Sequence, residues 1–318
     1  MAGPVLITGA AGFAGSHLLD LLSNEPGPDA ALAGRELIAW HRPGGAAPRE
    51  VPGVSWEPMD LLDRPSVETA LARLQPSQVY HCAGAAHVGR SWQTTDATFA
   101  VNVRGTYHLL DGLRRSGNAT TRVLVVSSAM VYASASRPLT EDDPLIPSSP
   151  YALSKLAQEM VSTTDSEGPP ASVARAFNHF GPRQDPFFVA SGFARRIADI
   201  EAGRWAPEIA VGNLDACRDL TDVRDTVRAY RAIVERGRPG RVYNVCSGQA
   251  IVIRDLLDML IARTRVPVRV RVDPARYRPN DTPLVVGDPS RMRDELGWAP
   301  QIPIEQTVDD LLQYWRQR

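Results

Sequence analysis

A short apolar run, Pro4-Val-Leu-Ile-Thr8, passes directly into Gly9-Ala-Ala-Gly12-Phe-Ala-Gly15 and then into the helical pattern Ser16-His-Leu18-Leu19-Asp-Leu21-Leu22. Strand, glycine-rich turn and helix in that order form a βα unit. Its glycines permit a tight turn and let backbone N–H groups approach a pyrophosphate at the helix N-terminus. A glycine pattern alone is also what a structural turn looks like. Its place as the first βα unit of the chain is what favours a dinucleotide site. The spacing is GxxGxxG, not the GxGxxG of ordinary dehydrogenases.

More strand-like segments follow at βα intervals: Glu36-Leu-Ile-Ala-Trp40, Val54-Ser-Trp56 leading into Met59-Asp60-Leu61, Gln78-Val-Tyr-His-Cys82, and Arg122-Val-Leu-Val-Val126. Helical patterns lie between them, over residues 63–74 and 101–116. Alternating β and α elements predict an α/β fold with a doubly wound parallel Rossmann sheet. After residue 178 the pattern loosens and prolines and arginines become denser. At about 150 residues per domain, 318 residues suggest two units. We therefore expect an NAD(P)-binding Rossmann domain over 1–178. A smaller C-terminal α/β substrate-binding domain is expected over 179–318, with segments near 219–246 returning to the first. Residues 134–150, rich in proline, read as a surface loop.

Charge and cysteine usage exclude other classes. The 35 basic and 36 acidic side chains leave a net charge of −1, so nothing recruits the chain to nucleic acid or to an anionic membrane. No apolar run approaches the length of a membrane span. The start, Met1-Ala-Gly-Pro-Val-Leu-Ile-Thr8, lacks the basic segment of a signal peptide. Cys82, Cys217 and Cys246 are odd in number and widely spaced, and read as buried thiols of a cytoplasmic protein rather than disulfides or metal ligands.

Of the basic side chains, all but Lys155 are arginine. Where arginine has been used wherever a positive charge suffices, a retained lysine marks a tight site that needs a compact ammonium. Lys155 closes Tyr151-Ala-Leu-Ser-Lys155, and Ser148-Ser149-Pro150 before it supplies helix-start residues. The i,i+4 spacing puts phenol and ammonium on one helix face. There the ammonium is expected to stabilise the phenolate and lower the tyrosine pKa. The fifth strand ends in Ser127-Ser128, ahead of this helix. The second strand ends in Trp40-His41-Arg42 without the carboxylate that holds the ribose 2′-hydroxyl of NAD. Arg42 suits a 2′-phosphate, which favours NADP(H) over NAD(H). Asp60-Leu61, ending the third strand, is placed for the adenine amine.

Together, Thr8-Gly-Ala-Ala-Gly-Phe-Ala-Gly15, Ser128, Tyr151-Ala-Leu-Ser-Lys155 and Ala174-Arg-Ala-Phe-Asn-His179 resemble the extended short-chain dehydrogenase/reductase family in its nucleotide-sugar branch. Six further segments make the chain most similar to the GDP-mannose-related enzymes, above all the GDP-4-keto-6-deoxy-mannose reductases. They are Asn178-His-Phe-Gly-Pro-Arg-Gln184, Val211-Gly-Asn-Leu-Asp215, Arg218-Asp-Leu-Thr-Asp-Val-Arg-Asp225, Tyr243-Asn-Val-Cys-Ser-Gly248, Arg278-Pro-Asn-Asp281 and Leu296-Gly-Trp-Ala-Pro300. The likeness runs from residue 5 to about residue 315.

The resemblance implies catalytic roles for Ser128 on the sugar oxygen, Tyr151 as proton donor or acceptor, and Lys155 on the nicotinamide ribose. It implies cofactor contacts at Gly9, Gly12, Phe13, Ala14, Gly15, Arg42, Asp60, Leu61, Ala83, Gly84, Tyr151, Lys155 and His179. Asn178 would contact the substrate near its phosphates, Arg218 and Arg278 would clamp the diphosphate, and Arg195 would face the same anion. It also implies a homodimer joined through the helices at 101–116 and 151–163. The related 4,6-dehydratases carry a glutamate two residues after the catalytic Ser/Thr, where this chain has Met130. A thioether is no base, and only Glu141 and Asp142 in the following loop offer a substitute. Reduction of the C4 ketone of a nucleotide-linked 4-keto-6-deoxyhexose is therefore expected, GDP-4-keto-6-deoxy-D-mannose giving GDP-D-rhamnose. A C4 epimerase is the alternative, followed by a GDP-mannose 4,6-dehydratase and a non-catalytic dinucleotide-binding regulator.

Overall fold

The computed structural model describes residues 3–24, 35–45, 49–118, 120–164, 168–169, 171–277 and 282–318. Strand β1 (Val5–Thr8) sends Val5 and Ile7 to one layer of helices and Leu6 to the other. Burial on both faces is why it reads as an unbroken apolar run and not as an alternation. Helix α1 (Phe13–Asn24) follows the glycine turn, then β2 (Leu37–His41), β3 (Val54–Pro58), α2 (Arg64–Leu74) and β4 (Gln78–His81). Two short helices, α3 (Val88–Ser91) and α4 (Thr95–Phe99), lead through a π-helical turn at Ala100–Arg104 into α5 (Gly105–Arg115). After these come β5 (Arg122–Ser128), α6 (Pro150–Thr163) and β6 (Ala171–Ala176).

The remainder interleaves two layers. It comprises β7 (Asn178–Phe180), α7 (Val189–Glu201), β8 (Glu208–Val211), β9 (Cys217–Asp222), α8 (Val223–Arg236), β10 (Val242–Val245), β11 (Ala250–Val252) and α9 (Ile253–Ile261). The chain ends with β12 (Arg269–Val272), β13 (Leu284–Val285), α10 (Ser290–Leu296) and α11 (Ile304–Arg316).

Seven parallel strands form one sheet in the order β10-β6-β5-β4-β1-β2-β3. On one face, Leu18 and Leu19 of α1 and Val227, Tyr230 and Ile233 of α8 cover Ile7, Ala39, Tyr80 and Leu124. On the other, Val67 and Leu71 of α2 and Leu109 and Leu113 of α5 cover Leu6, Ile38, Val79 and Val125. Helices on both faces make the sheet doubly wound. The order reverses between β1 and β4, and ligands of such sheets sit at that switch point, beyond the carboxyl ends of the strands. A separate core joins Ala194 and Ile197 of α7, Leu256 and Leu260 of α9 and Leu311 of α11 to Ile209, Val211 and Leu220. Above it, β9 pairs with β7, β11 and β13, and β8 pairs with β12.

Three details depart from the sequence reading. The helix expected over 101–116 is broken by the π-helical turn. The loosened pattern after residue 178 contains a regular helix, from Val189 to Glu201, that carries Arg195. The 134–150 loop is pinned at its middle: Leu139 is buried, and its N–H donates to the Val286 carbonyl. Of the three free cysteines only Cys246 is fully buried. Among the described residues, no helix is long and apolar enough to cross a membrane.

The turn after β1 has no room for larger residues. A Cβ at Gly15 would lie 2.2 Å from the Gly9 carbonyl oxygen, a backbone clash that α1 relieves only by moving off the sheet. Gly15→Ala is expected to destabilise the fold by on the order of 1–3 kcal/mol. Thermal unfolding with and without NADPH checks this, since displacing α1 should also reduce the stabilisation that the dinucleotide brings.

Candidate active site

Gly9 takes the left-handed conformation, φ +66°, and a Cβ there would sit 2.7 Å from the Ala83 nitrogen and Cα. The ends of β1 and β4 therefore touch backbone to backbone. Helix α1 has no acidic residue in its first turn. A side-chain-free turn feeding a helix N-terminus without a carboxylate suits an anionic pyrophosphate. Phe13 stacks on His179, with centroids 5.7 Å apart and planes within 2°, so the glycine turn meets β7 there. Gly84 is equally constrained, for its Cβ would meet Asn102 Oδ1 at 2.9 Å and Lys155 Nζ at 3.4 Å. Gly9, Ala83, Gly84 and Lys155 thus lie along one surface at the switch point, and Ala14 lies against the core beneath it. Arg42 is exposed just beyond β2. Asp60, exposed beyond β3, accepts from the Leu62 N–H, while Leu61 is buried.

Helix α6 starts where its sequence predicts: Ser149 Oγ accepts from the Ala152 N–H at 3.1 Å and Pro150 occupies the first turn. Ser91 Oγ of α3 accepts from the Tyr151 N–H at 3.1 Å, fixing the first turn against the β4 crossover. Ser128, at the end of β5, is hydrogen-bonded to the Tyr151 side chain and also accepts from the Met130 N–H. The structure corrects the expected electrostatics of this pair. Burial raises the Tyr151 phenol above its ordinary value, opposed by the Ser128 hydrogen bond. The hydrogen bonds of the Lys155 ammonium go to groups other than the phenol. The ammonium donates to the Val126 carbonyl and to Gln158 Oε1, each at 2.8 Å. Burial lowers Lys155 to about 8, against upward pulls from Cys82 and Glu159.

Residues that the motifs did not flag hold this group in place. Asn102, fully buried in the π-helical turn, accepts from the Ala85 N–H at 2.8 Å and donates to Ser154 Oγ at 2.9 Å. A π-bulge is a frequent mark of a functional site, but nothing in a helical hydropathy pattern announces one. Glu159 accepts from Arg175 through both oxygens and from Ser127, so a buried ion pair braces the strand that carries Ser128.

The proposed substrate residues divide. Asn178 is exposed at the start of β7, the strand that also carries His179. Arg218, half-buried on β9, donates to the carbonyls of Cys217 and Thr282, both at 2.8 Å. Arg195 lies on the exposed face of α7, beside Asp199 and over the Trp315 ring. These contacts give it a structural explanation independent of any anion. Arg278 lies outside the described residues. The two carboxylates of the loop after Met130 are engaged elsewhere. Glu141 accepts from the Asn244 N–H and pairs with Arg291, and Asp142 pairs with the same arginine.

Two buried histidines give the fold a pH limit. Burial lowers His81 to about 3 and His17 to about 4. Both are neutral when folded and bind a proton on unfolding below the ordinary histidine range near 6.5. The unfolded chain therefore takes up more protons there, and stability falls with falling pH from about 6.5 toward 4. For fully buried His81 the loss is on the order of 3 kcal/mol. Urea unfolding between pH 7.5 and 4.5 should show this decline, and His81→Asn should be less stable at pH 7.5 but flatter in its pH dependence.

The GDP-mannose 4,6 dehydratase family profile matches residues 6–311. The GDP-6-deoxy-D-mannose reductase of Pseudomonas aeruginosa is 36% identical, with 99% of this chain and 97% of that one aligned. Among solved structures, RMD from Pseudomonas aeruginosa complexed with NADPH superposes with a TM-score of 0.84 at 33% identity over 100% of both chains. MoeE5 in complex with UDP-glucuronic acid and NAD gives 0.85 at 26% identity over 99% of both. With the turn, the serine–tyrosine–lysine group and this coverage in agreement, the chain belongs to the GDP-mannose 4,6 dehydratase family of extended short-chain dehydrogenase/reductase enzymes.

Proposed function

We propose that this chain reduces the C4 ketone of a nucleotide-linked 4-keto-6-deoxyhexose, converting GDP-4-keto-6-deoxy-D-mannose to GDP-D-rhamnose. One observation carries the choice of reaction within the family. Ser128, Tyr151 and Lys155 are all present, whereas the position two residues past Ser128 is Met130, and Glu141 and Asp142 are both held by Arg291. Ser128 and Tyr151 offer groups for moving a proton at the C4 oxygen, and the position of a carboxylate that would remove the C5 proton holds a thioether.

A bound NADPH supplies the hydride for C4. Gly9, Gly12, Phe13, Ala14 and Gly15 would hold its pyrophosphate side, with Ala83, Gly84, Lys155 and His179 toward the nicotinamide. Asp60 and Leu61 would flank the adenine. Arg42 would hold the 2′-phosphate. Ser128 donates to the ketone oxygen alongside Tyr151, so the charge that develops there meets fixed donors. Tyr151, kept protonated at neutral pH by its burial, gives its proton to the nascent alkoxide, a stronger base than phenolate. Asn178, Arg218 and Arg278 would bind the nucleotide diphosphate, placing substrate recognition mainly in residues 179–318. Exposed Tyr107 on α5 and Leu153 and Met160 on α6 support a homodimer through these helices, which sedimentation would test.

The test follows purified protein with GDP-4-keto-6-deoxy-D-mannose and NADPH at 340 nm, with the product assigned by NMR. We expect oxidation of NADPH and GDP-D-rhamnose. Absence of oxidation, with epimerisation of a UDP- or GDP-hexose by cofactor that survives gel filtration, would overturn the reading in favour of an epimerase. Tyr151→Phe should lower kcat by about 10²–10⁴-fold while NADPH fluorescence titration stays unchanged. Arg42→Ala should raise the KM for NADPH about tenfold, the loss of one charge-assisted phosphate contact, and leave that for NADH in place.

A further inference from the structure

A continuous run of buried polar side chains crosses four elements between the glycine turn and the catalytic lysine. Thr8 Oγ1 lies 2.7 Å from His81 Nδ1, His81 Nε2 lies 2.8 Å from Thr106 Oγ1, Gln158 Nε2 donates to Thr106 Oγ1 at 2.7 Å, and Lys155 Nζ donates to Gln158 Oε1 at 2.8 Å. Thr8, His81, Thr106 and Gln158 are each at most 1% exposed.

Donor and acceptor counting fixes every direction in this chain. An ammonium only donates, so the Gln158 amide must turn its oxygen to Lys155 and its NH₂ to Thr106. The single Thr106 hydroxyl proton goes to the Asn102 carbonyl, 2.6 Å away, which can only accept. Thr106 Oγ1 is then an acceptor for both Gln158 and His81, so His81 carries its proton on Nε2. His81 Nδ1 in turn accepts from the Thr8 hydroxyl, whose oxygen receives the Ala83 N–H at 3.3 Å. The bonds of the run are then all accounted for with a neutral imidazole at His81, while the Lys155 ammonium and the Gln158 amide each keep one further N–H.

We propose that Gln158 is the positioning residue for Lys155, and that the Gln158–Thr106–His81–Thr8 chain registers the lysine against the glycine turn. The inference rests on the catalytic reading of Lys155 for its kinetic consequence, although the geometry stands without it. Within reach of the ammonium, the titratable groups are His81 and Cys82 at the end of β4 and, on α6, Tyr151 and Glu159. Glu159 is committed to Arg175. Gln158 is therefore the one uncharged side chain that ties the ammonium to this chain.

Because the chain has a single lysine, protein labelled with ¹³Cε-lysine gives one lysine signal, and its titration reads Lys155 directly. In Gln158→Leu the ammonium loses an acceptor in a buried site, so its titration should move down by about one pH unit. In Gln158→Glu, which keeps the volume and adds a negative charge, it should move up by a similar amount. The alkaline limb of the kcat–pH profile should follow in the same two directions, with the sugar KM within about twofold of the parent value. If both variants leave the lysine titration where it is in the parent, while only the melting temperature changes, Gln158 is packing and the proposal fails. If the signal moves in opposite directions but no ketone is reduced by any form, the positioning role stands and the reductase reading fails.

Discussion

The backbone contact between Gly9 and Ala83 sets the geometry from which the rest of the site follows. Two parallel strands that diverge at a switch point normally leave a crevice between their carboxyl ends. Here Gly9, with no Cβ and a positive φ, lets the turn lie directly against the segment after β4. That approach brings Thr8 to His81 and aims Gly84 at the lysine on α6. Any side chain at position 9 would push β1 and β4 apart at the point where α1 begins, and would strain the Thr8–His81 hydrogen bond with which the run to Lys155 starts.

The second constraint is the buried pair of Glu159 and Arg175. An ion pair buried on both sides stabilises little in net terms, because desolvation consumes much of the attraction, yet losing one partner costs about 3–5 kcal/mol. Its value here is connectivity. Arg175 also reaches Tyr132 and the Glu141 carbonyl, Tyr132 donates to Asn244, and the Asn244 N–H donates to Glu141. The loop after Ser128 is thereby fastened to β6 and β10. Ser128 is held from below through its neighbour Ser127, and from above by the loop that covers it.

Much of this was legible in the residues and some was not. The glycine turn, the helix start at Ser149-Pro150 and the i,i+4 pair Tyr151 and Lys155 are local features, fixed by backbone geometry within a few residues, and they appear where the sequence places them. The orientation of Lys155 is not local. Its partners are a strand carbonyl and a glutamine three residues on, and helical spacing alone does not say whether the ammonium turns to the phenol or to that glutamine. Asn102, Thr106 and His81 look like ordinary polar residues in amphipathic elements, and only the tertiary pairing shows them buried together. Arg195 shows a limit of the opposite kind. In a chain with so many arginines, the match of a charge to an expected anion has little weight until its neighbours are known, and Trp315 and Asp199 account for it.

The lone lysine then has a physical reason. Its ammonium lies where a Cβ at Gly84 would come within 3.4 Å, and the acceptors it meets are the Val126 carbonyl and Gln158 Oε1. A guanidinium brings five N–H donors in a wide planar fork. With two acceptors at hand, several of those donors would be buried without partners, at about 1–3 kcal/mol for each unsatisfied group. An ammonium leaves one hydrogen over, directed at the surface formed by Gly84 and the end of β4. Among the described residues, arginine serves where the partner is a carboxylate, as at Arg175, a ring, as at Arg195, or a pair of spaced carbonyls, as at Arg218. At residue 155 the number of donors, not the charge, decides the residue.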